Sequence, residues 1–195
     1  MKFTEIGKMA KRNKTVILET GIDGTQWVNV YEAVFKMDGV PYMTADEFLT
    51  MIGVSEKGRA DWNMGEATTM TYAGSEREAV EITSDMAGIT IHYNGRDLMP
   101  FYTADGVVFF DNFYIFPLLV DGGRYIHYFL LDRGYSRRVL IVQDGIFPIA
   151  YIKEYAETDL LSLKIKILHE QVQAEKGRTC YALKCEEEYG QEEII

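Results

Sequence analysis

At 195 residues the chain has the length of one domain or of two small lobes sharing a core, and 47% hydrophobic and 13% aromatic content is enough to pack an interior without disulfides or metals. Its formal charge of −10 argues against a protein that grips a phosphate backbone through a basic stripe, and favours solubility or docking on a basic partner. The two cysteines, Cys180 and Cys185, make neither a disulfide framework nor a four-ligand zinc site, and the longest apolar run, Phe113 to Val120, is far too short to span a bilayer.

The N-terminal stretch carries Lys8, Lys11, Arg12 and Lys14 and holds no apolar run of signal-peptide length, so a basic arm on a soluble, cytoplasmic protein is expected. From Asp23 to Gly53 the sequence reads as two strands, a tight turn and a short capped helix. Thr44-Ala45-Asp46-Glu47 is a capping box, in which the Thr44 hydroxyl accepts the Glu47 amide and the Glu47 carboxylate reaches back. Phe48, Met51 and Ile52 are then expected on one face, with Gly53 as the stop. Residues 54–87 are polar and weakly patterned. They read as a joint between an N-terminal hairpin–helix lobe over 1–65 and a sheet-plus-helix lobe over 66–195, which could equally form one continuous domain.

Asp-Gly recurs at 23–24, 38–39, 105–106, 121–122 and 144–145, and Asn-Gly stands at 94–95. These pairs accept the positive φ angles of turns that match antiparallel strands. Ahead of Asn94-Gly95, Ile89, Ile91 and Tyr93 alternate with Thr90 and His92, which predicts a hairpin with strands near 89–93 and 96–102. The runs VVFFD, FYIFPLLV, RYIHYFLL and RRVLIV, starting at residues 107, 113, 124 and 137, read as further antiparallel strands. Pro117 puts its run at an edge or bend, and a buried helical turn is the alternative there. A second helix is expected over 158–176, where Leu161, Ile165, Leu168 and Val172 form one stripe, followed by an acidic tail. The fold class is therefore α+β: an antiparallel sheet, an amphipathic C-terminal helix packed on it, and a small N-terminal hairpin–helix unit.

No catalytic pattern emerges. His92, His127 and His169 stand singly, without a second ligand at metal spacing, Ser75 and Ser136 lack a nucleophile elbow, and there is no phosphate-binding loop. The expectation is a protein without catalytic residues, metal or cofactor. Binding candidates remain. Trp27 and Trp62 are possible interface anchors, and Glu186, Glu187, Glu188, Glu192 and Glu193 could occupy a cationic groove built for phosphates. Lys11, Arg12 and Lys14, with Arg133, Arg137 and Arg138 around Tyr135, are possible nucleic-acid contacts.

The stretch containing Gly39, Pro41, Asp46 and Gly53 is similar to the start of phage antirepressor domains of the BRO type, and to the repeat element of copper amine oxidase N-terminal-like modules. A broader likeness runs from about residue 24 to 176. Through Gln26, Trp27, Tyr31, Gly39, Pro41, Thr44, Tyr93, Gly95, Arg96, Asp97, Leu98 and Pro100 the chain resembles a group of small proteins of phages and prophages of gut Firmicutes. That resemblance implies a phage or mobile-element accessory protein that binds and inhibits a host immune factor, most concretely a CRISPR effector nuclease with its basic channel. The other implication is an antirepressor-type protein contacting DNA through its basic arm.

Overall fold

The computed structural model describes residues 3–82, 90–103, 106–119, 125–133, 138–155 and 163–164. The chain divides into two compact units, residues 1–156 and 157–195. In the second unit Leu163 and Lys164 are described and helical, and the remainder of the helix expected over 158–176, with the acidic tail, lies outside the described residues.

The first unit is α+β. Helix α1 (Phe3–Asn13) leads into strands β1 (Thr15–Thr20), β2 (Gln26–Asn29) and β3 (Ala33–Lys36), then helix α2 (Ala45–Met51). Next come β4 (Asn63–Ala67), β5 (Val80–Ile82), β6 (Ile91–Tyr93), β7 (Arg96–Thr103), β8 (Gly106–Asp111), helix α3 (Asn112–Leu119), β9 (Ile126–Leu131), β10 (Val139–Asp144) and β11 (Phe147–Lys153). Short 3-10 turns at Glu56–Asp61 and Ser75–Glu78 precede β4 and β5. Eight strands form one sheet in the order β4-β1-β2-β3-β11-β10-β9-β5, and β6-β7-β8 form a second. Among the described residues only the β1–β4 pairing is parallel. Because β3 pairs with β11, the larger sheet takes strands from both sides of residue 65.

Period-two alternation assigns the faces of the large sheet. Ala33 and Phe35, Leu140 and Val142, and Ala150 and Ile152 share the larger core, while Val34, Ile141 and Tyr151 belong to a smaller core with Trp27 and Tyr72. Burial on both faces explains why VLIV in β10 is a continuous apolar run rather than an alternating one. Ile6, Met9 and Ala10 of α1, Phe48 and Leu49 of α2, and Tyr114, Ile115 and Leu118 of α3 all enter the larger core. Each fully buried residue of this size contributes roughly 1.5–3 kcal/mol of transfer free energy.

Several expectations hold in detail. Tyr93 pairs with Arg96, so Asn94 and Gly95 form a two-residue turn, and both have positive φ, 48° and 72°. The Thr44 amide donates to Glu47 Oε2 at 2.7 Å and the Glu47 amide to Thr44 Oγ1 at 3.3 Å, which completes the capping box. Gly53 follows the helix at φ 78°.

Others are corrected. The N-terminal arm is a helix whose apolar side is buried. On α2 the buried residues are Ala45, Phe48 and Leu49, whereas Met51 is 55% exposed. At about 100° per residue Met51 points roughly 110° away from the centre of that stripe. Residues 112–119 are a helix and not a strand: Asp111 caps it, its Oδ1 accepting the Phe113 amide at 2.9 Å. Pro117 sits inside that helix. The joint over 54–87 contributes both edges of the large sheet, β4 and β5. Strand β11 carries Pro148 next to a bulge, where the register moves from Val142↔Ala150 to Gln143↔Pro148. A residue without an N–H is tolerated at such an irregularity.

Candidate functional site

Two arrangements concentrate polar or aromatic chemistry. The first grows from the β2–β3 connection. Glu32 N–H donates to the Val30 carbonyl at 3.1 Å around Tyr31 at φ 78°, a positive-φ γ-turn that is rare for a residue other than glycine. The turn sends the Glu32 carboxylate inward to Arg96 Nη1, at 3.0 and 2.9 Å, and to the Tyr114 hydroxyl, which donates at 2.7 Å. Arg96 also reaches Asp111 Oδ2 at 3.2 Å, and Arg12 Nη2 meets the same oxygen at 3.2 Å. Burial pushes the Glu32 carboxyl upward, but hydrogen bonds from Arg96 and Tyr114 and the charges of Arg96 and Arg12 outweigh it and hold Glu32 below the usual glutamate value. Burial and the bond to Glu32 raise the Tyr114 phenol. This network ties α1, the β2–β3 turn, β7, β8 and α3 together with every charge matched, so its evident role is structural.

The second is a cleft of about 630 Å³ between the β1–β2 and β10–β11 turns. Trp27, Tyr151 and Met70 line it together with Pro148, Ile22 and Ile146, and Asp23 and Arg77 supply its charged groups. Trp27 packs on Tyr151 with centroids 5.5 Å apart, and Tyr151 stacks on Tyr72 at 5.2 Å, over whose ring the Arg133 guanidinium lies at 5.2 Å. Asp23 accepts from the Thr25 hydroxyl and amide at 2.6 and 3.1 Å, and these bonds hold its carboxyl below the usual aspartate value. While Trp27 is only 4% exposed, Ile22 and Ile146 are 85% and 80% exposed. The volume lies within the range of ligand clefts, roughly 300–1,000 Å³.

The described candidates from sequence fall apart in space. Trp27 is interior and donates its indole N–H to Thr25 Oγ1 at 3.1 Å, and half-buried Trp62 packs against the larger core. Arg12 is committed to Asp111 and lies over the Phe113 ring at 4.7 Å, and Lys14 pairs with Asp61 at 3.6 Å. Arg138 bridges Asp132 at 3.2 Å and Glu154 at 3.6 Å. Lys11 is exposed on α1. Arg137, Glu186, Glu187, Glu188, Glu192 and Glu193 lie outside the described residues. His92 and His127 pair on the surface with Asp97 and Glu81. Among the described residues no three His, Cys, Asp or Glu side chains are grouped to hold a metal ion, and no helix is long and apolar enough to cross a membrane.

Sequence reasoning missed Glu32, Arg96, Asp111 and Tyr114, and the cleft's exposed isoleucines. A signal for the isoleucines existed: Ile22 and Ile146 are β-branched apolar residues inside Gly-containing turns, Gly21-Ile22-Asp23-Gly24 and Asp144-Gly145-Ile146, where polar residues are usual.

Compared with models of known protein families, with curated proteins and with solved structures, the chain matches none.

Proposed function

We propose that this chain is a non-enzymatic accessory protein of phage or mobile-element origin that docks on a basic surface of a host defence protein, most concretely the nucleic-acid channel of a CRISPR effector nuclease. The observation that supports this reading is how the fold uses its cations. Arg12, Arg59, Arg96 and Arg138 are each tied to carboxylates of the same chain, with guanidinium side chains no more than 33% exposed. Cations spent in this way are withdrawn from phosphate binding, while the formal charge of the whole chain stays at −10. A body of that charge repels a duplex and is steered toward a cationic channel at low ionic strength.

The test sets purified chain against a guide-loaded effector nuclease and, separately, against a fluorescent DNA duplex. The reading expects association with the nuclease whose rate falls as salt rises, and inhibition of cleavage. Tight duplex binding at about 0.15 M salt, with the nuclease ignored, would replace it by the antirepressor-type reading, with Lys11 as the exposed contact.

A further inference from the structure

We infer that the cleft between the β1–β2 and β10–β11 turns is a docking site for an extended protein segment that presents an apolar side chain flanked by lysine or arginine. The inference rests on the reading of the chain as an acidic binding protein and names the surface it would use.

Three observations converge on this cleft. Ile22 and Ile146 stand almost fully in water at its lips, and Phe147 beside them is 62% exposed. Clustered apolar exposure of this kind marks interaction sites more often than chance, whereas single exposed apolar residues do not. Between the lips the lining is aromatic and soft, Trp27, Tyr151 and Met70, held rigid because Trp27 and Tyr151 are packed into the smaller core. A preformed floor of this composition accepts an apolar anchor without first being ordered.

Charge favours a cationic flank. Asp23 lines the cleft as a carboxylate fixed by Thr25, Lys36 beside it is paired with Asp38 at 3.5 Å, and the net charge of −10 adds a field of Asp23's sign. A cationic side chain next to the anchor meets both. Arg77 also lines the cleft and would favour an acidic ligand instead. The two alternatives give opposite results with oppositely charged probes.

The probes are two amidated tetrapeptides, Lys-Leu-Phe-Lys and Glu-Leu-Phe-Glu, titrated into the ¹⁵N-labelled full chain. With two tryptophans in the sequence, the Trp27 and Trp62 indole N–H signals are assigned with the Trp62→Phe variant. The expected result is a saturable shift of the Trp27 indole signal by the lysine peptide, a much smaller shift by the glutamate peptide, and no movement of Trp62. Ile22→Ser with Ile146→Ser should weaken the lysine peptide about tenfold, the scale of losing interface anchors. Because both positions are exposed turns, this variant should keep its melting temperature. Asp23→Asn should reduce the preference for lysine over glutamate. An unmoved Trp27 signal at millimolar peptide, equal response to both peptides, or undiminished binding by the double-serine variant would overturn the inference. A nuclease that still binds the double-serine variant in full overturns this surface and leaves the proposed function standing. Peptide binding with a nuclease that is ignored does the reverse.

Discussion

Replacing Arg96 by methionine keeps the apolar stem of the side chain and removes the cation that Glu32 and Asp111 share. Breaking a fully buried pair by deleting one partner costs about 3–5 kcal/mol, because the remaining charge stays desolvated. Here the Arg96 and Glu32 side chains are 25% and 23% exposed, so water softens that penalty. Glu32 also keeps the Tyr114 hydroxyl, and Asp111 keeps Arg12. The ring contact of Arg96 with Tyr155, 5.1 Å from its centroid, is lost as well. A net loss of about 2 kcal/mol follows, which in a domain of this size lowers Tm by roughly 4–8 °C. The pH dependence carries the sharper signature. Glu32 titrates below its usual value in the folded protein, so it adds stability above the unfolded pKa that is lost as pH falls through the folded one. Removing Arg96 relaxes that depression, and the stability gap between wild type and variant should therefore narrow on acidification from about pH 7 to about pH 3. Urea unfolding across that range measures the gap, and an Arg96→Met, Glu32→Gln double-mutant cycle should give a coupling of about 1–3 kcal/mol. A cost below about 0.5 kcal/mol, or a gap that widens in acid, would refute the assignment of these residues as one network.

An added Cβ at Gly95 meets nothing within 4 Å, so Gly95→Val should cost about 1–2 kcal/mol purely through its positive φ, and thermal unfolding unchanged from wild type would contradict the turn. Thr44→Ala removes the cap of α2 and should cost about 1 kcal/mol by urea denaturation. Chelator should leave Tm unchanged, and a fall of several degrees would reveal a metal that supports the fold. Changing Glu186, Glu187, Glu188, Glu192 and Glu193 to glutamine should slow association with a basic protein partner and flatten its salt dependence in stopped-flow measurements, without altering the circular dichroism spectrum.

Local chemistry was the most readable part of this chain. The Asn94-Gly95 turn and the Thr44–Glu47 cap depend on neighbouring residues alone, and both appear where the residues put them. Failures came where tertiary context decides. FYIFPLLV fits a strand or a buried helical turn equally well, and the helix is capped by Asp111, the residue just before α3 begins. The edge strands β4 and β5 were hidden for a different reason. A short edge strand buries little: Asn63–Ala67 shows no regular apolar alternation, and Val-Glu-Ile over 80–82 alternates for three residues only.

The site was harder, because what matters is pairing rather than composition. Counting charges gives −10 and a basic N-terminal stretch, but not that Arg12 lies on the side of α1 that faces Asp111, nearly one hundred residues away in sequence. Amphipathic spacing carries that information in principle. Ile6, Met9 and Ala10 fall at i, i+3 and i+4, and once that stripe is taken as the buried side, Arg12 beside it becomes a partner of the core's polar margin instead of part of a free arm. The cleft obeys the same logic at longer range. Ile22 and Ile146 each sit oddly in a turn, yet neither turn alone defines a surface. The sheet order brings them together: β2 and β3 join β1 to β11 and β10, so the two turns flank one row of strands with Trp27 and Tyr151 between them. An apolar residue stranded in a glycine turn is therefore best read together with the strand order, since only the pairing of β3 with β11 turns two isolated anomalies into one cleft.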